Sequence, residues 1–264
     1  MTQQPDPTGA LTAECDEVDA MLAGLDDEQW QLPTPAPGWT IAHQVAHLAA
    51  TFRVAGLAGS DPDAFRALMT RLSNDFTANV ANALAEYLAD PPKVLFDRWQ
   101  AERNTAVKAL SSVPGDQLVP WLVNPLPPSV LMMAGMMEAF AHGQDIADAL
   151  GVRPVRTDRI RFLVAFAIRV WDFGYLARNE PKPDVEFRYE LTAPSGALWQ
   201  FGPENAEQRI SGPAEDFCLL VTRRRHRDDL AVTAVGPDAE RWLDIAQAYR
   251  GPAGEGRRPG QFAR

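Results

Sequence analysis

From Thr8 to about Arg178 the apolar residues of this chain recur at steps of three and four, and from Val185 to Leu191 they recur at steps of two. The first spacing keeps apolar side chains on one face of a helix and the second on one face of a strand, so no single regular architecture serves both stretches. The expectation is a two-domain α+β chain, with a helical domain over residues 1–180 and a small α+β domain over residues 181–264. The run Asn179-Glu180-Pro181-Lys182-Pro183-Asp184 marks the boundary. At 264 residues the chain is long enough to bury one large core or two smaller ones.

Within the helical part, Leu11, Cys15, Val18, Leu22 and Leu25 outline a first amphipathic helix. The Pro33-Thr34-Pro35-Ala36-Pro37-Gly38 run cannot continue it, and Thr40 offers an N-cap hydroxyl for a second helix through Ile41, Val45, Leu48 and Phe52. A third pattern runs from Asp63 to Tyr87 through Phe65, Leu68, Leu72, Phe76 and Val80, long enough to contain a break. A fourth follows Pro91-Pro92, and a fifth runs from Val130 to Leu150 with Gly151 as its C-cap. Residues 158 to 178 form one more. Beyond the boundary, Val185 to Leu191 and Leu198 to Phe201 read as strands joined by the Ala193-Pro194-Ser195-Gly196 turn, followed by a helix over Ala214 to Val221, a strand over Leu230 to Ala234, a helix over Ala239 to Tyr249 and a loosely held tail.

A formal net charge of -10 opposes attraction to nucleic-acid phosphate, so no nucleic-acid partner is expected. The basic run Arg223-Arg224-Arg225-His226-Arg227 is followed at once by Asp228 and Asp229 and reads as a solvated surface turn. The two cysteines, Cys15 and Cys218, form no CxxC pair and no disulfide framework. Neither a basic, apolar leader nor an uninterrupted apolar span is present, so the reading is a soluble cytoplasmic protein with no membrane partner.

Chemistry concentrates in two helical segments. Glu138 and His142 stand at i and i+4 in the fifth helix, and His43 and His47 stand at the same spacing in the second. That spacing places a carboxylate and an imidazole on one helix face, where both can grip one cation. A histidine added from another helix would make a His2Glu site with a coordination position open to water, a thiolate or a substrate oxygen. The same spacing also suits a surface ion pair, and it does not decide whether His43, His47, both or neither is a ligand.

The string Pro37-Gly38-Trp39-Thr40-Ile41-Ala42-His43-Gln44-Val45-Ala46-His47-Leu48 resembles the second-helix signature of the DinB-like superfamily, in particular its mycothiol-dependent maleylpyruvate isomerase branch from actinobacteria. Glu138-Ala139-Phe140-Ala141-His142-Gly143-Gln144-Asp145-Ile146-Ala147 looks like that family's later helix. The resemblance covers residues 8 to 175 and implies a four-helix bundle holding a divalent metal, zinc by preference, with His47, Glu138 and His142 as ligands and His43 a neighbour one turn away. The three ligands would also suit a facial iron site. The C-terminal part looks like the small α+β domain, similar in shape to sterol carrier proteins, that is attached to many such isomerases.

The resemblance further implies a small-molecule substrate and a low-molecular-weight thiol, mycothiol, as partners. The activity it implies is isomerisation or S-transfer on a small electrophilic or unsaturated acid, by thiolate addition, bond rotation and elimination. Two other readings remain at this point: a metal-dependent enzyme that uses metal-bound water or coordinates its substrate directly, and a metal-stabilised ligand-binding or stress-response protein without catalysis. His43, Gln144 and Asp145 are candidates to orient the ligands. Arg53 and Arg103, with Arg98 and Arg169 behind them, are candidates to bind an acidic substrate. The Met-rich run Leu131 to Met137 would fill core or wall a pocket. Substrate and oligomeric state stay open.

Overall fold

A computed structural model describes residues 6–262. The Asp6 carboxylate accepts a hydrogen bond from Thr8 N at 3.0 Å and Pro7 sits in the first turn, which starts helix α1 (Pro7–Leu22). A short helix α2 (Asp27–Trp30) is closed by a reciprocal Asp26 and Gln29 capping box. The proline-rich run then forms a loop whose ends meet as a bridge between Pro33 and Thr40. The remaining helices of this unit are α3 (Ile41–Ser60), α4 (Pro62–Met69), α5 (Phe76–Leu88), α6 (Pro92–Ser112) and α7 (Pro128–Leu150).

Helices α1, α3, α6 and α7 are the four members of the bundle; α3 packs on α6 and α7, and α1 packs on the same two. Leu11, Val18, Ile41, Val45, Leu48, Trp99, Leu110, Met136 and Phe140 fill its core. Phe52 meets the Trp99 ring edge to face at 5.0 Å, and each such large side chain contributes about 2–3 kcal/mol by leaving water. A Cβ placed on Gly143 of α7 would lie 3.1 Å from Val18 Cγ2, so the absence of a side chain there lets α1 lie close against α7. Gly151 ends α7 in the left-handed conformation with φ 66°, as expected of its place in the sequence.

The third sequence pattern is two helices rather than one. Asp61 caps α4 through Ala64 N, and Asp75 caps α5 through Ala78 N. With the chain turning between them, Leu72 and Phe76 leave the apolar face assigned to them and are 45% and 50% exposed. Of the Met-rich run, Met132, Met136 and Met137 are buried and fill core.

The chain divides into the compact units Met1–Pro154 and Val155–Arg264, which moves the boundary some way upstream of residue 180. The segment after Pro154 is held by the second unit: the Asp158 carboxylate accepts from Ser195 N and Oγ at 2.9 and 2.6 Å, and Trp171 packs on Phe187 at 5.1 Å between ring centroids. Here a 3₁₀ turn (Asp158–Ile160) leads into α8 (Arg161–Arg169), and α9 (Phe173–Leu176) follows after a break. The proline-rich 179–184 run is thus a loop inside the second unit.

Strands β1 (Phe187–Thr192), β2 (Leu198–Phe201), β3 (Gln208–Pro213) and β4 (Thr233–Val235) form one sheet in the order β2-β1-β3-β4. β1 pairs antiparallel with β2, Tyr189 opposite Phe201, and parallel with β3, Tyr189 opposite Ile210. Helices α10 (Ala214–Val221) and α11 (Pro237–Ile245) complete the unit. Phe187, Tyr189, Phe217 and Trp242 form its aromatic core. The predicted strand over 230–234 is shifted toward β4, β3 was not anticipated, and the tail is anchored by Gly260 N donating to Asp229 Oδ1 at 2.8 Å. Among the described residues no helix is long and apolar enough to cross a membrane.

Candidate metal centre

The site is built by the first turns of α3 and the middle of α7. Residues 41, 44, 45, 48 and 52 form the buried stripe of α3, which turns His47 to the edge of that stripe, toward α7. On α7, Glu138 and His142 occupy successive turns of one face. His47 Nε2 lies 3.4 Å and His142 Nε2 3.3 Å from the same carboxylate oxygen, Glu138 Oε2. The donor atoms of all three residues lie within 4.8 Å of one another, and the two imidazole rings stand 4.4 Å apart. The side chains keep 12–20% of their surface exposed, so the cluster is partly open.

These separations bear on whether a metal fits. A carboxylate bonded to a protonated imidazole closes to about 2.7–2.9 Å, whereas two donors each about 2.1 Å from a tetrahedral ion stand about 3.4 Å apart. Two imidazole nitrogens and a carboxylate oxygen at such distances are a donor set that suits a zinc-type ion. Burial opposes ionisation of Glu138, but the hydrogen bonds and charges of His142 and His47 outweigh it and hold the carboxyl well below the usual carboxylate range. A charged carboxylate is therefore the state this environment favours.

His43 has a different task. Its Nδ1 faces the Thr40 hydroxyl at 2.8 Å and accepts from Thr40 N at 3.3 Å, so the ring caps the start of α3, and burial lowers its pKa. Asp145 reaches the site through another residue: Gln44 Nε2 donates to Asp145 Oδ2 at 3.4 Å. Gln144 instead donates to Asp148 Oδ1 at 2.9 Å. Arg53 is paired with Glu86 at 2.9 Å, and Arg103 with Asp16 and Asp19 at 2.8 and 2.9 Å. Arg98 is paired with Glu86 and Asp90, and Arg169 is exposed in the second unit. The structure gathers His47, Glu138 and His142 and places Arg53, Arg98 and Arg103 in ion pairs.

Sequence reasoning missed Gln44, Thr34 and Trp39. Gln44 is fully buried; its Oε1 lies 2.5 Å from His142 Nδ1, and its Nε2 donates to Thr34 Oγ1 at 2.8 Å. The readable signal was a glutamine on the apolar stripe of α3, where an unpartnered amide would be costly. Trp39 stacks on His142, with centroids 6.0 Å apart and planes 20° from parallel, and lies 5.4 Å from His47. In the second unit, a cavity of about 410 Å³ is lined by Arg223, Arg225 and Arg227 among others. The basic run is thus half-buried rather than a solvated turn, and Arg227 is paired with Glu240 and Asp244.

Comparison with known proteins bears on the bundle first. The mycothiol maleylpyruvate isomerase N-terminal domain family matches residues 11–147, and a family described as wyosine base formation matches residues 183–235. Two uncharacterized proteins of Mycobacterium tuberculosis, from strains CDC 1551 / Oshkosh and ATCC 25618 / H37Rv, are each 44% identical over 247 residues, 94% of this chain and 96% of theirs. Among solved structures, a mycothiol-dependent maleylpyruvate isomerase superposes with a TM-score of 0.54 at 15% identity, covering 86% of this chain and 91% of that one. A histidine-to-alanine mutant of it gives 0.55 with the same identity and coverage. At that identity the likeness speaks to the fold. The family match spans more than half of the residues and contains all three donors, and the chain belongs to the mycothiol maleylpyruvate isomerase N-terminal domain family.

Proposed function

We propose that the protein is a metal-dependent enzyme that uses mycothiol, a low-molecular-weight thiol, for isomerisation or S-transfer on a small electrophilic or unsaturated acid. The observation that carries this reading is the convergence of His47, Glu138 and His142, from two helices, on one point inside the matched family segment. Those three side chains would hold the metal, and their partial exposure leaves the centre accessible to a small molecule. A bound divalent ion, zinc by preference, would supply positive charge that lowers the pKa of a thiol brought to it and yields the nucleophilic thiolate at neutral pH.

The protein's own groups prepare that chemistry. Glu138, held ionised, would offset part of the positive charge, and the Trp39 ring stacks on His142 and lies 5.4 Å from His47. Neither cysteine is in a disulfide and both are buried, so neither is offered as the nucleophile. We place the protein in the cytoplasm, where such thiols are kept reduced.

The test joins metal analysis, thiol binding and turnover. Protein purified from its native host is expected to carry a stoichiometric divalent metal that is lost in His47→Ala, to bind mycothiol by calorimetry only when metal is present, and to turn over a member of a panel of unsaturated acids only with thiol. Absence of metal, or metal without thiol binding, overturns the reading.

A further inference from the structure

We infer that Gln44 is a positioning residue that fixes the tautomer of His142, so that its Nε2 presents a bare lone pair to the metal. This rests on the proposed metal centre and adds to it a residue and a direction. A neutral histidine carries one ring proton, and which nitrogen holds it is set by the hydrogen bond of the other. Here that partner is a glutamine amide, which offers an acceptor at one end and donors at the other, so the question is which way the amide points.

The surroundings of Gln44 answer it. The Thr34 hydroxyl donates to the Trp39 carbonyl at 2.9 Å, which leaves Thr34 Oγ1 only lone pairs for Gln44, 2.8 Å away. Asp145 Oδ2, at 3.4 Å from the same amide nitrogen, is a carboxylate oxygen and accepts. Both neighbours demand the NH2 group, so Oε1 faces His142, and at 2.5 Å from Nδ1 it requires that nitrogen to carry the proton. The bonds run in one direction, from His142 Nδ1–H to Gln44, from Gln44 to Thr34, and from Thr34 to the Trp39 carbonyl. In the neutral Nδ1–H form of the ring, His142 Nε2, 3.3 Å from Glu138 Oε2, no longer donates to that carboxylate as a protonated ring does and faces it lone pair to lone pair, an arrangement that a cation relieves. Gln44 is fully buried, so water does not substitute for this chain.

Wild type, Gln44→Leu and Gln44→Glu, each stripped of metal with a chelator, test the inference. Long-range 1H–15N correlation spectra of the His142 ring are expected to show Nδ1–H in wild type, a shift toward Nε2–H in Gln44→Leu, and return of Nδ1–H in Gln44→Glu, which keeps the acceptor. Zinc titrated against a competing chelator is expected to bind Gln44→Leu about 10–100-fold more weakly than wild type, with most of the loss recovered in Gln44→Glu. An Nε2–H tautomer in the wild-type ring overturns the inference, as does a folded Gln44→Leu that binds zinc as wild type does. If Gln44→Leu does not fold, the wild-type spectrum alone decides. Should wild type bind no zinc, the metal reading fails, whereas the tautomer spectrum still reads the role of Gln44.

Discussion

Two polar clusters, one largely buried and one partly open, lie within the same bundle, and they are built in opposite ways. In the first, Asp19 on α1 accepts from Trp99 Nε1 at 2.7 Å, from Gln100 Nε2 at 2.7 Å and from Arg103 Nη2 at 2.9 Å, while Arg103 also reaches Asp16. Most donors find an acceptor there, although Arg103 Nε is buried without one. In the second, His47, Glu138 and His142 bring three metal-ligating atoms to one point at separations longer than those of tight ion pairs. The first cluster pairs all but one of its groups and ties α1 to α6, whereas the second is, on the proposed reading, one that a bound ion would complete. Complementarity therefore distinguishes a polar cluster that ties helices together from one whose donors converge without matching partners, even though both lie in one helical bundle.

The largest expected effects set these clusters against each other. Glu138→Gln and His47→Ala are expected to weaken zinc binding by more than about 100-fold, with little change in the unfolding midpoint of the metal-free protein. Asp19→Ala is expected to do the reverse, costing about 3 kcal/mol in urea unfolding because Trp99 Nε1 and one arm of Arg103 lose their acceptor in a buried setting, with zinc affinity unchanged. A Glu138→Gln protein that unfolds early, or an Asp19→Ala protein that loses zinc, would break the comparison.

Much of this arrangement is legible in the sequence, and what is not has identifiable causes. The α3 and α7 helices could be read because apolar spacing, a capping threonine at 40 and the Gly151 stop all agree. Their candidate ligands could be proposed because i, i+4 spacing puts Glu138 and His142 on one face, although preferring His47 to His43 rested on the family resemblance. Spacing is silent on the choice: both histidines lie on α3, and only the loop preceding the helix turns His43 back to cap it. The break between α4 and α5 was blurred because Leu72 and Phe76 continue the helical spacing across a turn made by Asp75. The compact units divide at Pro154 rather than at the 179–184 run because Trp171 and Asp158 are committed to the sheet unit by contacts with residues 187 and 195, which local texture does not report.

A smaller effect tests whether other polar pairings in the bundle are also self-contained. Tyr87, in α5, donates to Glu102 Oε1 at 3.1 Å beneath the Arg98 guanidinium, and burial together with the Glu102 charge pushes its pKa up to about 12. A group with a raised folded pKa favours folding while protonated, so this contribution is complete below the usual tyrosine value of about 10 and is lost as pH rises through about 12. Urea unfolding midpoints of wild type are expected to fall more steeply over that window than those of Tyr87→Phe, and equal slopes would remove Tyr87 from the set of satisfied buried pairs.

The smallest expected effect probes the far end of the Gln44 chain. Thr34→Val keeps the shape of the side chain but removes the oxygen that accepts from Gln44 Nε2 and donates to the Trp39 carbonyl. Asp145 still draws the amide in the same sense, and the backbone bond from Thr34 N to the Trp39 carbonyl at 2.8 Å still closes the loop. The amide should therefore loosen without turning over, and zinc affinity is expected to fall by only about threefold, below the typical range for losing a group that bonds a ligand directly. A fall as large as that of Gln44→Leu would mean that Thr34, rather than Asp145, sets the orientation of the amide. No change at all would mean that the carboxylate alone suffices, and the satisfied part of the site would then end at Asp145.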